Sequence, residues 1–451
     1  MKYAQTHGGP SILMACILLL GTSIRVSSAE PSRPRFRLPD TILAGDGLSI
    51  RIVGLEPKTR LRIQSERIAG WRQKRLHRAS VWVRSDDAGN VDLSKQAPLL
   101  NTESSYDGVE PLGLLWSMTP VEEEARETLN CTDSIRFTAS RPDDGELATF
   151  QMRIQTRRDD VEETPLGDPG LEGAFVMMRP SDTPRPVIIT LGGSEGGDSS
   201  ARRTAPVLAS HGFAVVGVPY YSPAYGSAEP RFKTLPRSFS NIPLDRLNDV
   251  LDAIEQHPKL DSKRIGLHGV SKGGEFVLAI ASRLDRFQAV VGVVPSDVIW
   301  EGWGSEQKTS SFSYHGKPLP FVPYQGMKET IAKLSKGERV SIRVPHDAGR
   351  AAFPESVPAA KIEVEKIKCP LMIIGGDQDQ TWDSGGMCRQ IVERRKSAGL
   401  ETEAWIGTNA GHYLAGHAFD PMAFAGKDAS FRTKTFPAML AFLREHLQGN
   451  D

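Results

Sequence analysis

Ser271 stands between two glycines in Gly269-Val270-Ser271-Lys272-Gly273, after a short apolar run and before "EFVLAIAS". Glycine costs backbone entropy, so a pair flanking one serine calls for a local reason. One reason is a sharp strand-to-helix turn that lifts the serine hydroxyl to the top of a sheet, the G-x-S-x-G nucleophile elbow. An ordinary turn with a helix-capping serine fits the same five residues. Only the partners of Ser271 can separate the two.

A serine nucleophile needs a base, and the base needs an orienting acid. After the apolar run "CPLMIIGG" come Asp377-Gln378-Asp379. Asp379 is preferred as the acid because the G-x-x-D spacing from Gly376 carries it beyond the turn, whereas Asp377 suits a turn cap. After "TEAWIG" comes Asn409-Ala410-Gly411-His412-Tyr413. His412, following a glycine in a loop, is the expected base, and His417 is the alternative. The chain order Ser, Asp, His is that of an α/β-hydrolase. For the oxyanion of a tetrahedral intermediate, one expected donor is the backbone N–H of Lys272, which follows the nucleophile. The other is Gly193 or Ser194 in the glycine-rich "LGGSEGG".

The elements that must hold these residues fall into two blocks. From about Arg37 to Arg157, short runs such as "RLRIQSERI", "RASVWVRSDDAGNVDL" and "ATFQMRIQTRR" alternate apolar with polar, and Asp87-Ala88-Gly89-Asn90 has hairpin-turn chemistry. This block, residues 36–158, is expected to be an all-β, immunoglobulin-like sandwich. "RRDDVEETPLGDPG" reads as a linker. From residue 168 to 451, strands alternate with amphipathic helices: "RPVIITLGG", "FAVVGVPYY", "PLDRLNDVLDAIEQHP", the elbow strand and its helix, "QAVVGVVPS", "CPLMIIGG", "MCRQIVERRKSAG", "TEAWIG" and "FPAMLAFLREHL". Continuous apolar strands alternating with helices imply a mostly parallel sheet covered on both faces. The fold class is therefore α/β, an α/β-hydrolase domain preceded by the sandwich. About seventy residues between "AVVGVVPS" and "CPLMIIGG" form a long insertion, the length of a lid or an acyl-pocket wall. Trp300, Trp303, Phe312, Tyr314 and Phe321 in it would either line a pocket or pack on the sheet's flank.

Composition narrows the function. Fifty-five Lys and Arg balance fifty-five Asp and Glu, with no long block of one sign, which points away from nucleic acid as a partner. Residues 1–29 read as a signal peptide: Lys2, the apolar Ser11–Gly21, then small residues at Ser27, Ser28 and Ala29. The run is short for a bilayer span, so no stable span is expected after cleavage. Export to a periplasm or the medium is favoured, with a cytoplasmic protein as the alternative. Cys16 lies inside the apolar run instead of ending it, which argues against lipidation. Cys131, Cys369 and Cys388 then remain, an odd number that does not make a disulfide framework, with one bridge open to them in an oxidising compartment and no closely spaced cluster for zinc. No cofactor or metal is called for. Asn130-Cys131-Thr132 fits a glycosylation sequon.

With these stretches in view, the chain resembles the acyl-CoA thioesterase / bile acid-CoA:amino acid N-acyltransferase family. "VGLEPKTRLRIQSE" and "GVEPLGLLWSM" resemble its β-sandwich, and "GVSKGGE", "GGDQDQTW" and "AGHY" resemble its three catalytic stretches. The resemblance maps nucleophile, acid and base onto Ser271, Asp379 and His412, and Trp382 stands where the family has a tryptophan three residues after its acid. It implies a hydrolase acting on acyl-CoA, a small-molecule substrate. Relatives that conjugate acyl groups to amino acids have cysteine at the nucleophile; Ser271 implies hydrolysis. The other readings are an exported carboxylesterase acting on oxygen esters and a binding protein on a hydrolase scaffold. Acyl chain length and oligomeric state are not legible in the sequence.

Overall fold

In the strand Arg60–Ala69 every second side chain is buried, and in Arg75–Arg84 the same alternation holds from Ala79 to Val83. A period of two puts one face of a sheet into a core. These strands pair antiparallel with each other, Arg60–Ala69 pairs with Ser134–Ser140, and that strand with Glu146–Gln155. Thr41–Leu43 and Thr119–Pro120 complete a six-stranded sheet, and Arg35–Arg37, Arg51–Val53 and Val91–Asp92 form a three-stranded one. Ile63, Val81, Phe137 and Met152 from the large sheet share one core with Phe36, Ile52 and Val91 from the small sheet. The computed structural model describes residues 33–70, 74–122, 133–167, 171–224, 229–420 and 426–449. The expected leader over 1–29, Cys16, the Asn130 sequon and Cys131 lie outside the described residues.

Two local expectations differ from the structure. The turn at Asp86–Asn90 forms, with Gly89 N–H donating to Asp86 O (3.1 Å). However, the strands it joins belong to different sheets, so it is a corner and not a hairpin. The Asp86 carboxylate accepts the N–H groups of Ala88 and Asn90, which satisfies the turn without a ladder. Within the expected linker, Glu162–Pro165 is a strand, paired antiparallel with Phe175–Met178. Its side chains are exposed, as at a sheet edge. Such a strand has no apolar alternation to reveal it, and its proline is admissible because the outer edge has no partner.

From there an eight-stranded sheet runs in the order Glu162–Pro165, Phe175–Met178, Ala214–Gly217, Arg185–Leu191, Leu260–Val270, Ala289–Val293, Leu371–Gly376, Glu403–Gly407. The first two strands are antiparallel additions; the remaining pairs are parallel. Alternate residues divide between its faces. Ile188, Val215, Val291 and Met372 join the core that includes the helices Ser199–Ser210 and Lys427–Leu447. Val187, Val216, Leu267, Val290 and Ile373 join the core under Arg246–Gln256, Lys272–Ala281 and Ser384–Ser397. The chain is thus an α/β-hydrolase fold preceded by a β-sandwich, and the first of those cores continues into the sandwich. Polar contacts seal that junction: His211 Nε2–H donates to Ala44 O (2.8 Å), and Arg158 N–H to Ser210 Oγ (2.8 Å). Among the described residues no helix is long and apolar enough to cross a membrane.

Three buried histidines tie stability to pH. Burial pushes His268 down to about 4, His346 to about 3 and His417 to about 4. An unfolded histidine takes its proton near pH 6.5, while these stay neutral in the folded chain. Their contribution is therefore intact above pH 6.5 and is lost as pH falls from there towards 4. Equilibrium unfolding across that window should show up to about three protons taken up on unfolding, and a stability that falls with acid. A flat profile between pH 6.5 and 4.5 would contradict the burial.

Candidate active site

The strand Leu260–Val270 ends directly at Ser271, and the helix Lys272–Ala281 begins at the next residue. A Cβ on Gly269 would overlap the Gly273 carbonyl, and one on Gly273 would overlap the Gly192 carbonyl. Both positions therefore admit glycine alone. Squeezed between them, Ser271 adopts φ 57° and ψ −118°, a conformation that non-glycine residues rarely hold. Its N–H donates to Val293 O (2.9 Å), and its carbonyl accepts from Glu275 N–H (3.0 Å).

The hydroxyl meets His412 Nε2 at 3.0 Å, and His412 Nδ1 lies 2.7 Å from Asp379 Oδ2. Asp379 follows the strand Leu371–Gly376 and His412 follows Glu403–Gly407, so all three residues sit beyond the carboxyl ends of parallel strands. Asp379 is wholly buried and receives further donors: Thr381 N–H (2.8 Å), Trp382 N–H (3.3 Å) and Ser384 Oγ–H (2.6 Å). An acceptor-only carboxylate places the imidazole proton on Nδ1 and leaves Nε2 free to accept from Ser271. The Trp382 indole, anchored through Nε1–H to Val294 O (3.1 Å), stands edge-on to the His412 ring at 5.9 Å.

The alternatives are placed elsewhere. Asp377 is held in a two-pronged ion pair by Arg389 (2.7 and 2.9 Å), which keeps its carboxyl below the usual range. His417 is buried, with Nδ1 accepting Phe419 N–H (3.1 Å) and its ring edge-on to Phe436. Neither joins the Ser271 chain.

Gly193 lies against Ser271: a Cβ built there would stand 3.1 Å from Ser271 Cβ. The strand Arg185–Leu191 neighbours Leu260–Val270, with Leu191 opposite Gly269, and this register brings the glycine loop to Ser271. Tyr220 fixes the loop's peptide planes. Its hydroxyl donates to Gly192 O (2.9 Å) and shares its proton with Gly193 O (3.2 Å). No peptide bond among the described residues is cis, so the N–H groups of Gly193 and Ser194 point to the opposite side from those carbonyls. The Gly193 N–H meets Glu195 Oε1 at 3.1 Å. Burial pushes the Tyr220 hydroxyl well up, which keeps it a donor.

Lys272 contributes a side chain as well as a backbone. Its ammonium is buried, bonded to Glu275 Oε2 (2.8 Å) and Ser311 Oγ (2.9 Å). The rings of Phe239, Phe312, Trp303 and Trp382 stand 5.5–5.8 Å from it. Glu275 Oε1 accepts Trp300 N–H (3.1 Å). The pair therefore stitches the helix Lys272–Ala281 to the insertion. Burial pulls the lysine down and the glutamate up, and each charge opposes that shift on the other. Trp300 and Phe312 are fully buried in packing, Phe312 against Phe276 of the nucleophile helix. Trp303, Tyr314 and Phe321 are half-buried against the same core, so these aromatics pack on the flank.

Sequence reasoning passed over Tyr220, Ser384, Glu195 and the Lys272 side chain. Lys272 and Glu275, three apart at a helix start, were the one visible signal. Cys369 and Cys388 are free, with burial pushing Cys369 up to about 11.

The family pattern "BAAT / Acyl-CoA thioester hydrolase C terminal" matches residues 242–448, and "Acyl-CoA thioester hydrolase/BAAT N-terminal region" matches 46–164. The chain belongs to the acyl-CoA thioester hydrolase/BAAT family. It is similar to acyl-coenzyme A thioesterase 1 of Mus musculus, 28% identical over 84% of this chain and 84% of that one. It is likewise 28% identical to mitochondrial acyl-coenzyme A thioesterase 2 of Rattus norvegicus, over 84% and 78%. Among solved structures it is similar to an acylaminoacyl peptidase of Pyrococcus horikoshii, with TM-score 0.41 and 14% identity over 89% of this chain and 55% of that one. This member of the thioester hydrolase/BAAT family is an enzyme with thioesterase-like hydrolase character.

The buried pair gives a stability test. Lys272→Met leaves Glu275 charged and unpaired in the interior, which should cost about 3–5 kcal/mol. Lys272→Met with Glu275→Gln removes both charges and keeps an acceptor for Trp300 N–H, so urea unfolding should recover most of the loss. A double variant no more stable than the single one would contradict the pairing.

Proposed function

We propose that this enzyme hydrolyses acyl-CoA thioesters through an acyl-Ser271 intermediate, with His412 as base and acid and Asp379 as its orienting partner. The observation that carries the reading is the unbroken chain from Ser271 Oγ through His412 to Asp379, at 3.0 and 2.7 Å. In acylation, Ser271 Oγ attacks the thioester carbonyl while its proton passes to His412 Nε2. Asp379 stabilises the imidazolium without taking the proton. The N–H groups of Lys272 and of Gly193 or Ser194 would receive the oxyanion, each worth about 3–4 kcal/mol in the transition state. Collapse expels the coenzyme A thiolate, which leaves with the proton held by His412. Water then attacks the acyl-serine, giving up its proton to the same nitrogen; as the acyl–Oγ bond breaks, His412 returns that proton to Ser271 Oγ and the free acid is released.

Membership of the thioester hydrolase/BAAT family, along both blocks of the chain, favours a thioester as substrate. Ser271, where conjugating relatives have cysteine, favours water over an amino acid as acceptor, because an oxygen ester is less activated towards amines than a thioester. The leader read over 1–29 favours export, which identification of the mature N-terminus from the native host would test.

Ser271→Ala should lower turnover by up to about 10⁶ while leaving the fold intact. Asp379→Asn should cost on the order of 10⁴, through the wrong imidazole tautomer, and Asp377→Asn little. Rates on acyl-CoA and matched oxygen esters, with free acid and glycine or taurine amide quantified by mass spectrometry, check all three points. Equal losses at Asp377 and Asp379 would overturn the acid. Amide growing with amine concentration would overturn hydrolysis.

A further inference from the structure

Glu195 holds a position that the hydrolytic reading leaves unexplained. Its carboxylate oxygen Oε1 accepts the Gly193 N–H at 3.1 Å, and its Oε2 would stand 2.9 Å from a Cβ built on Gly193. The same hypothetical atom is 3.1 Å from Ser271 Cβ. The carboxylate therefore lies over the loop that faces the nucleophile, on the side to which Tyr220 turns the Gly193 N–H. It is also the first charge acting on the buried Tyr220 hydroxyl behind the loop. Glu195 is an exposed residue, so rotation of its side chain can carry the carboxylate into solvent.

An N–H bonded to a carboxylate is not open to a substrate carbonyl. Two anions cannot share one donor without mutual repulsion, so the oxyanion and the carboxylate exclude each other there. We propose that Glu195 is a displaceable plug on the Gly193 N–H and that its charge selects acyl groups that are neutral near the reacting carbonyl over those carrying a carboxylate there. The inference rests on the reading of Gly193 as an oxyanion donor. Displacement exchanges one hydrogen bond for another and makes or breaks no covalent bond. Once moved aside, the carboxylate remains within a few bonds' reach of the first acyl carbons. A neutral chain tolerates it. A short acyl group ending in its own carboxylate is repelled wherever the two charges come within one Debye length, about 8 Å.

Butanoyl-CoA and succinyl-CoA have the same chain length and differ in the terminal carboxylate, so their kcat/KM ratio reads the charge. Wild type should prefer butanoyl-CoA. Glu195→Gln keeps an oxygen acceptor for the N–H and removes the charge; it should compress the preference about five-fold or more and leave butanoyl-CoA near wild type. Glu195→Ala removes plug and charge, and should compress the ratio and also raise butanoyl-CoA turnover several-fold. An unchanged ratio in both variants, or a fall in butanoyl-CoA turnover in Glu195→Ala, overturns the proposal. Labelling of Ser271 by a fluorophosphonate needs the nucleophile and the oxyanion donors but no coenzyme A. If neither thioester is cleaved yet Glu195→Ala is labelled faster than wild type, the thioester reading fails and the plug stands. If labelling is no faster, the plug fails whatever the substrate.

Discussion

The constraint on which the site depends is the approach of three backbones at the elbow. Gly269 meets the carbonyl of Gly273, and Gly273 meets the carbonyl of Gly192, with no room for a Cβ at either contact. The strand Leu260–Val270, the helix after it and the glycine loop are thereby fixed against one another, and Ser271 is left no relaxed conformation. Its φ of 57° is a strain of order 1–3 kcal/mol, held by the Val293 and Glu275 backbone bonds and by burial of the whole helix. Everything the site does depends on this contact. It sets the hydroxyl in line with His412, puts the start of a helix behind it, and brings Gly193 alongside.

Around that contact the buried polar groups are satisfied in a graded way. Asp379 has His412, Ser384 and two backbone N–H groups, more than enough to hold a carboxylate in the interior. Lys272 and Glu275 have each other, Ser311 and Trp300 N–H. Such an ion pair is weak as a source of stability, because desolvation offsets most of its attraction. Its value is geometric: it joins the first turn of the nucleophile helix to the insertion, and removing one partner strands the other. The insertion is thus an extension of the site's support. Val294, a β-branched residue at φ 44°, marks a second strained point, where its carbonyl receives the Trp382 indole.

Legibility of these features in the sequence follows the range of the interaction. The two-block architecture was readable because periods of two and apolar strand–helix alternation are local. That Ser271, Asp379 and His412 meet was readable because each residue follows a strand of the same parallel sheet, and such strands end on one side. The preference for Asp379 over Asp377 rested on where a turn leaves a side chain. The structure brings Asp379 to His412 and gives Asp377 to Arg389. Tyr220 and Ser384 were not legible: each acts through a backbone or carboxylate brought near only by the fold. Glu195 looked like one polar residue in a glycine loop. The edge strand Glu162–Pro165 was hidden because an exposed, charged strand has the composition of a linker. The corner at Asp86–Asn90 shows the converse, a turn whose chemistry is local and whose pairing is not.

The central claim is that Ser271 carries the acyl group between two half-reactions. Rapid acid quench of the intact enzyme during turnover of an acyl-CoA, followed by proteolysis and mass spectrometry, observes that intermediate directly. The expected result is an acyl mass on the peptide containing Ser271, appearing on the timescale of turnover and vanishing when substrate is exhausted. An acyl group found on another residue, or turnover with no covalent adduct at any quench time even when deacylation is rate-limiting, would contradict it.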